Sequence, residues 1–396
     1  MENVSYGHPH WALYPPPSTT IILVSGIILL VFAVISILGN AFVIGIFCSS
    51  PSLRTPANML ILNLSWSDLM MSTAVPMVTV AALEGKWVFG KVGCDIHAMV
   101  VGIFGLMSMN TIAAIAFERY KVIVRSCPTK GSRRQVAVSV VVTWLYSILW
   151  TLPPIFGWGQ YILEGTGTSC TFDFLTQTLE NRLFVLALFI GGFVVPFLVI
   201  LVCYCNVFYY VHASNKLLFY CRTKKALKSE VKVVKMTMVI LLLFCLSWIP
   251  YSVVALIGTF GDATQISPLT AGIPVIFAKS SAMYNPVIYT FYHQGFRREL
   301  RRRRICGRLS ARFFNLSSSF AQELDVIHSR GRNSLSVRRS ICSPSADHSS
   351  LSRPRLFTTD SISSNKRISQ NGNIYLSIQS RPTSPMKKTQ TSVEQV

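Results

Sequence analysis

Seven stretches of this chain are long and apolar enough to cross a lipid bilayer as helices, and nothing else in its 396 residues limits the fold as strongly. A hydrocarbon core of ~30 Å takes ~20 apolar residues at the α-helical rise. The stretches run over roughly 21–48, 57–82, 94–118, 136–157, 183–210, 232–259 and 269–292, and the first, fourth and fifth contain no Asp, Glu, Lys or Arg. Backbone groups in hydrocarbon must pair within their own segment, so each stretch is expected to be a helix. Only 13% of the residues are charged, against about a quarter in a soluble domain. Lipid is therefore the expected solvent. Pro76, Pro153, Pro196, Pro250, Pro274 and Pro286 fall inside or at the ends of the stretches. They predict kinks of the kind that membrane helices tolerate when neighbours re-satisfy the freed carbonyls. The expected fold class is an all-α membrane protein, a seven-helix transmembrane bundle.

The net charge of +21 suits either nucleic acid or an anionic membrane face. Its placement decides for the membrane, and no nucleic-acid partner is expected. With the N-terminus outside, the outer segments hold only Lys86, Lys91 and Arg182, whereas the inner loops begin with Arg54 and the segment from Arg297 to Lys388 is densely basic. Positive charge stays on the cytoplasmic side. The expectation is a multi-pass protein of the plasma membrane with an extracellular N-terminus (1–20), the bundle (21–292) and a cytoplasmic C-terminus. The first 20 residues carry no Lys or Arg, so the first helix is expected to insert as its own signal. An outside N-terminus makes Asn3-Val4-Ser5 a usable glycosylation sequon.

Beyond the seventh stretch, Phe296-Arg297-Arg298-Glu299-Leu300 followed by Arg301 to Arg304 reads as a short amphipathic eighth helix (293–306) on the inner leaflet. Each basic residue near an anionic lipid surface adds ~1 kcal/mol. Cys306 beside it is a candidate palmitoylation site. Residues 307–396 are rich in Ser, Thr, Arg and Asn, a composition that cannot bury a core and predicts a disordered tail. Ser317-Ser318-Ser319 and Thr358-Thr359 are candidate phosphate acceptors.

Of ten cysteines, only Cys94 and Cys170 lie on the oxidising side. A disulfide between them would pin the loop after the fourth stretch over the bundle. Ionisable residues within the spans point to function. Asp68 lies in the second stretch, Glu118-Arg119-Tyr120 closes the third, Glu230 precedes the sixth, and Lys279 stands mid-way along the seventh. Arg119 can bond Glu118 and reach Glu230 across the bundle, forming a contact that locks two helices together and opens as a two-state element. Lys279 is too deep to snorkel to either interface. A desolvated amine is nucleophilic and condenses with aldehydes.

Together these residues resemble the rhodopsin-like class of G-protein-coupled receptors over about residues 21–306. The motifs run in order: Gly39-Asn40 with Val43, Asn63-Leu64 with Asp68-Leu69, Cys94 and Glu118-Arg119-Tyr120, Trp144, Pro196 with Tyr204, Phe244 to Tyr251, and Asn285-Pro286-Val287-Ile288-Tyr289. Within the class, Lys279 six residues before Asn285 resembles the opsins. The resemblance implies 11-cis retinal held covalently as a Schiff base on Lys279, in a pocket using Gly105, Phe193, Trp248 and Tyr251. Aromatic walls suit a polyene, and a glycine leaves room for its ring or methyl group. A buried cationic linkage needs an anion. Many vertebrate visual opsins keep a Glu three residues after the third-span cysteine, where this chain has His97. Glu164, six residues before Cys170, matches the loop counterion of invertebrate-type opsins, with Asp95 as second candidate. Asp68 is expected to join a water or sodium network with Asn40 and Asn285.

The resemblance further implies a light-sensing receptor, not an enzyme, that couples to a heterotrimeric G protein. Trp248, Pro250, Tyr204 and Tyr289 are the expected moving parts, and a receptor kinase and arrestin act on the tail. Three other readings compete. A retinal photoisomerase would share Lys279 but has no need of Glu118-Arg119-Tyr120 or a long Ser/Thr tail. A receptor for a diffusible ligand would have no reason for Lys279, and amine receptors carry an Asp where this chain has Val101. A microbial-type pump lacks the outer disulfide and the Asn-Pro-x-x-Tyr motif.

Overall fold

A computed structural model describes residues 7–125, 133–217 and 224–303, without the side chains of residues 57, 211–232 and 294. Asn3, Cys306, the tail and its Ser/Thr clusters, and the side chain of Glu230 lie outside the described residues.

The first span is α1 (Thr19–Ser49) and the second is α2 (Pro56–Ser72) with α3 (Val75–Leu83). The third is α4 (Gly90–Ile123), the fourth α5 (Arg133–Thr151), and the fifth α6 (Leu179–Phe189) continued by α7 (Val195–Leu217). The sixth is α8 (Lys224–Phe260), and the seventh is α9 (Pro268–Ser280) continued by α10 (Tyr284–Tyr292). A short α11 (Gln294–Arg302) follows. Several helices begin on side-chain caps: Ser18, Thr55, Thr178 and Ser267 each accept the backbone N–H three residues on. Such caps satisfy donors that the helix itself cannot.

The interruptions fall where the sequence carries helix breakers. The second span breaks at Thr73-Ala74, ahead of Pro76. The fourth ends at Thr151 instead of 157, because Pro153 opens a 3₁₀ turn that closes on Gly157 at φ 92°. The fifth contains a π-helical segment, Ile190–Val194, just before Pro196. A 3₁₀ turn, Ser281–Met283, separates α9 from α10. Five of the described helices are long and apolar enough to cross a membrane on their own. The fourth span is shorter and begins with two arginines, and the seventh is divided by its turn.

The fourth span turns its polar side chains inward and its apolar ones outward. On α5, Val138, Val141, Val142, Leu145 and Leu149 are exposed, while Thr143, Ser147 and Thr151, spaced by four, are buried. That pattern reverses the one expected of a water-soluble helix and fits a lipid-facing surface. Motif residues bind the spans to one another. Asn63 donates to Thr111 at 2.8 Å and accepts from Trp144 Nε1 at 3.2 Å, joining the second, third and fourth spans. Gly39 of the first span lies where a Cβ would stand 3.0 Å from Pro286 of the seventh. Val43, Leu64, Ile112, Ile200, Met236 and Tyr289 fill a core toward the Arg119 end.

At the Cys94 end, β1 (Tyr161–Leu163) and β2 (Cys170–Phe172) form an antiparallel hairpin with Leu163 opposite Cys170. Cys94 and Cys170 are disulfide-bonded, their Cα atoms 5.4 Å apart. The hairpin is thereby fixed to α4, and Tyr161 donates its hydroxyl to the Thr151 carbonyl at the end of α5.

Candidate functional site

Beneath the hairpin lies a cavity of about 160 Å³, lined by the third to seventh spans and the hairpin itself. The walls are overwhelmingly apolar, with Phe189, Phe193, Phe244, Trp248 and Tyr251 among the lining aromatics. Phe193 stacks between Phe189 and Phe197, ring centroids 5.8 and 6.1 Å away. Tyr251 meets Phe172 of the hairpin edge-on at 6.1 Å and is hydrogen-bonded to Thr171.

One amine and one carboxyl group line this cavity, those of Lys279 and Glu164. Lys279 is next to the end of α9, within one residue of the break in the seventh span. Its Nζ is buried and makes no hydrogen bond. An amine in this state lacks the three acceptors that an ammonium group needs, and a buried polar group without a partner costs free energy. Glu164 follows β1 directly, is 5% exposed, and accepts from the Ser169 hydroxyl. Its backbone N–H donates to the Ser169 carbonyl at 2.9 Å, and its own carbonyl accepts from Gly167 at 2.8 Å. The turn that aims Glu164 thus depends on Gly167, whose φ is 68°, a region that favours glycine. An elongated apolar aldehyde fits this set: one orphaned amine to react with, aromatic walls, and one carboxylate for the charge that results.

The other sequence candidates divide. Gly105 lines the cavity, but the space a side chain would take is filled by Trp248, whose Cη2 and Cζ2 would stand 3.0 and 3.2 Å from a Cβ. The glycine therefore makes room for the indole. Trp248 donates to Ser281 at 3.1 Å and so ties the sixth span to the turn in the seventh. His97 is buried outside the cavity lining, accepts the Cys170 N–H at 3.4 Å and faces Trp87 edge-on at 5.5 Å. Asp95 is paired with Lys91 and is not among the cavity-lining residues.

Asp68 is fully enclosed. Ser108 donates to it at 2.8 Å and Asn285 at 2.7 Å. Asn40 does not touch Asp68. It bonds Ala282 and Ser36, and Ser36 continues through Ser72 to the Asp68 backbone carbonyl. At the other end, Glu118, Arg119, Tyr204 and Tyr289 are all buried. Glu118 accepts the ammonium of Lys121 at 2.5 Å, a partner that the sequence reading did not name. Arg125 lies over the Tyr120 ring at 5.8 Å.

Sequence reasoning also missed the pocket-facing residues of the hairpin, Thr171 and Phe172. Their signal was their position immediately after Cys170, which the disulfide fixes over the bundle.

The model for the family described as 7 transmembrane receptor (rhodopsin family) matches residues 39–289. The chain is 39% identical over 310 residues to the GQ-coupled rhodopsin of Mizuhopecten yessoensis, covering 75% of this chain and 62% of that protein. It is 41% identical over 304 residues to the rhodopsin of Enteroctopus dofleini (73% and 67%) and 40% identical over 283 residues to the melanopsin of Mus musculus (69% and 54%). The crystal structure of squid rhodopsin superposes with a TM-score of 0.70 at 38% identity, covering 74% of this chain and 88% of that one. With the fold, the motif order and these relatives in agreement, the chain belongs to the rhodopsin family of seven-transmembrane receptors, and within it to the opsins.

Proposed function

We propose that this opsin is a light-sensing receptor of the plasma membrane that holds 11-cis retinal covalently through Lys279 and activates a heterotrimeric G protein. The observation that carries the reading is Lys279 itself: its amine is buried, unbonded and in the wall of an aromatic cavity that also contains Glu164. Retinal, when bound, supplies the absorption of light and the change of shape that follows. The chain's own residues do the rest. Glu164 supplies the negative charge for the Lys279 linkage, held ready by Ser169. Phe193, Trp248 and Tyr251 shape the cavity and exclude water.

Trp248 is the relay. It contacts Gly105 and bonds Ser281, and Pro250 lies two residues on inside α8. Displacing the indole lets the Arg119 half of α8 swing about Pro250, opening a crevice for a G-protein segment. Tyr204 and Tyr289, both buried near Arg119, turn in to hold the open form. The N-terminus faces outward and the basic α11 lies on the inner leaflet, consistent with Arg297, Arg298, Arg301 and Arg302 on one short helix and Arg303 at its C-cap. Receptor kinase and arrestin acting on the tail end the signal, and Asn3 and Cys306 carry glycan and palmitate.

Lys279→Ala tests the reading. Reconstituted with retinal, the parent protein is expected to gain a visible absorption band and light-dependent G-protein activation, and the variant neither. A variant that kept both would overturn the assignment.

A further inference from the structure

The segment before the first span crosses the hairpin and is tied down along its length. His8 is hydrogen-bonded to Thr176 at 3.2 Å, His10 Nε2 to the Ile266 carbonyl at 2.8 Å, and Tyr14 donates to the Thr264 carbonyl. Pro9–Leu13 form a 3₁₀ turn between these anchors. All three bonds end on the loops after the fourth and sixth spans, away from the cavity wall.

Trp11 is different, because its side chain makes two contacts with the hairpin turn that flank Glu164. Its Nε1–H donates to the Leu163 carbonyl at 3.0 Å. Its ring lies against Gly165, where an added Cβ would meet Cζ3 at 3.0 Å and the Pro268 backbone at 2.6 Å. The residues before and after the carboxylate are therefore clasped from above by one indole, with Pro268 closing the far side. Beneath them, Glu164 lines the cavity that holds Lys279. A short hairpin has few hydrogen bonds of its own, and a bond at its turn restricts the swing of the residue between the two contacts.

We propose that Trp11 is a positioning residue for Glu164, fixing the height of the carboxylate over Lys279 from the opposite face of the loop. The inference rests on Glu164 acting as counter-charge to Lys279.

Trp11→Phe keeps the ring on Gly165 and removes the N–H. Tyr14→Phe, which loses only the bond to Thr264, is the control for general loosening of the segment. In the retinal-free protein, hydrogen–deuterium exchange at the Glu164 and Gly167 amides is expected to be about fivefold faster in Trp11→Phe, as befits one lost hydrogen bond, and unchanged in Tyr14→Phe. With retinal, the visible band of Trp11→Phe is expected to move and that of Tyr14→Phe to stay. Unchanged exchange, exchange that rises without a spectral shift, or equal effects in both variants would each overturn the positioning role. A parent protein that forms no visible band would instead defeat the function proposed above, and this inference with it.

Discussion

Asn285 donates its side-chain amide to the Asp68 carboxylate at 2.7 Å, bridging the second and seventh spans through residues 217 positions apart. Ser108 brings the third span to the other oxygen of the same carboxylate at 2.8 Å. Three spans thus share one buried acid, and Asn285 sits beside Pro286, whose ring packs on Gly39 of the first.

That bridge predicts a measurable coupling. Asn285→Ala leaves one carboxylate oxygen without its donor, and an unsatisfied buried group costs about 1–3 kcal/mol. In a double-mutant cycle with Asp68→Ala, thermal unfolding in detergent is expected to give a coupling energy of about 0.5–3 kcal/mol. Strict additivity would show that the two side chains do not support each other.

The contact of Gly105 with Trp248 predicts a steric effect that a second change relieves. Gly105→Ala puts a methyl group 3.0 Å from the indole, and overpacking of this kind costs about 1–3 kcal/mol. The indole has to shift and strain its bond to Ser281. Tryptophan fluorescence and thermal stability are both expected to change, and Trp248→Phe in the same chain to recover much of the stability. If Gly105→Ala melts with the parent, Trp248 has more freedom than its packing implies.

Much of this was readable from the residues alone, for physical reasons. Span positions follow from bilayer thickness, and the Cys94–Cys170 bond from the side of the membrane each cysteine occupies. Lys279 and Asp68 stood out because lipid penalises ionisable groups, whereas Glu164 came only from the opsin resemblance, by its place six residues before Cys170. What escaped was built from contacts between distant loops. His10, Trp11 and Tyr14 bond to carbonyls more than 150 positions away in sequence, and no local periodicity encodes such a pairing, although a His-Pro-His-Trp run in a charge-poor segment was a compositional hint. Lys121 was overlooked because a surface lysine three residues from an acid is ordinarily solvated, whereas Glu118 is 5% exposed. Gly105 lines the cavity, but that Trp248 fills the space beside it is not legible in sequence, because a missing side chain does not say which neighbour takes its place.

The disulfide closes a long segment, with 76 positions between its cysteines. Removing a native disulfide typically costs about 2–5 kcal/mol. Cys94→Ala with Cys170→Ala is expected to lower the melting temperature of the retinal-free protein and to speed amide exchange throughout β1 and β2. An unchanged hairpin would mean that Tyr161 and the segment above it suffice to hold the loop.

His293, the residue after α10, gives a pH dependence. Its Nδ1 accepts the Phe296 N–H at 3.0 Å to cap α11, and its Nε2 is hydrogen-bonded to Asn58 at 3.2 Å. Burial, reinforced by the positive charge of Arg119, lowers its pKa to about 4. The folded chain therefore holds the ring neutral while the unfolded chain takes up a proton below about pH 6.5. Between these values the unfolded state binds more protons, so stability is complete above about pH 6.5 and falls as pH drops toward the folded value. His293→Asn, which can still cap α11, is expected to flatten that part of the stability profile. A profile equally steep in both proteins would place the titration elsewhere.

Glu164 and Asp95 are the two candidates for the charge opposite Lys279, and their surroundings separate them. Asp95 has Lys91 as partner, so its charge is already balanced at the surface. Glu164 is buried, lines the cavity, and has a neutral hydroxyl, Ser169, as its side-chain donor, which leaves its negative charge uncompensated. A charge in a low-dielectric cavity acts strongly on a nearby cation. In retinal-loaded protein at neutral pH, Glu164→Gln is expected to move absorption toward the ultraviolet, because a cationic linkage without its anion gives up its proton. Asp95→Asn is expected to leave the spectrum in place. An ultraviolet shift in Asp95→Asn and none in Glu164→Gln would reverse the assignment and require Asp95 to turn inward, away from Lys91, when the cavity is filled.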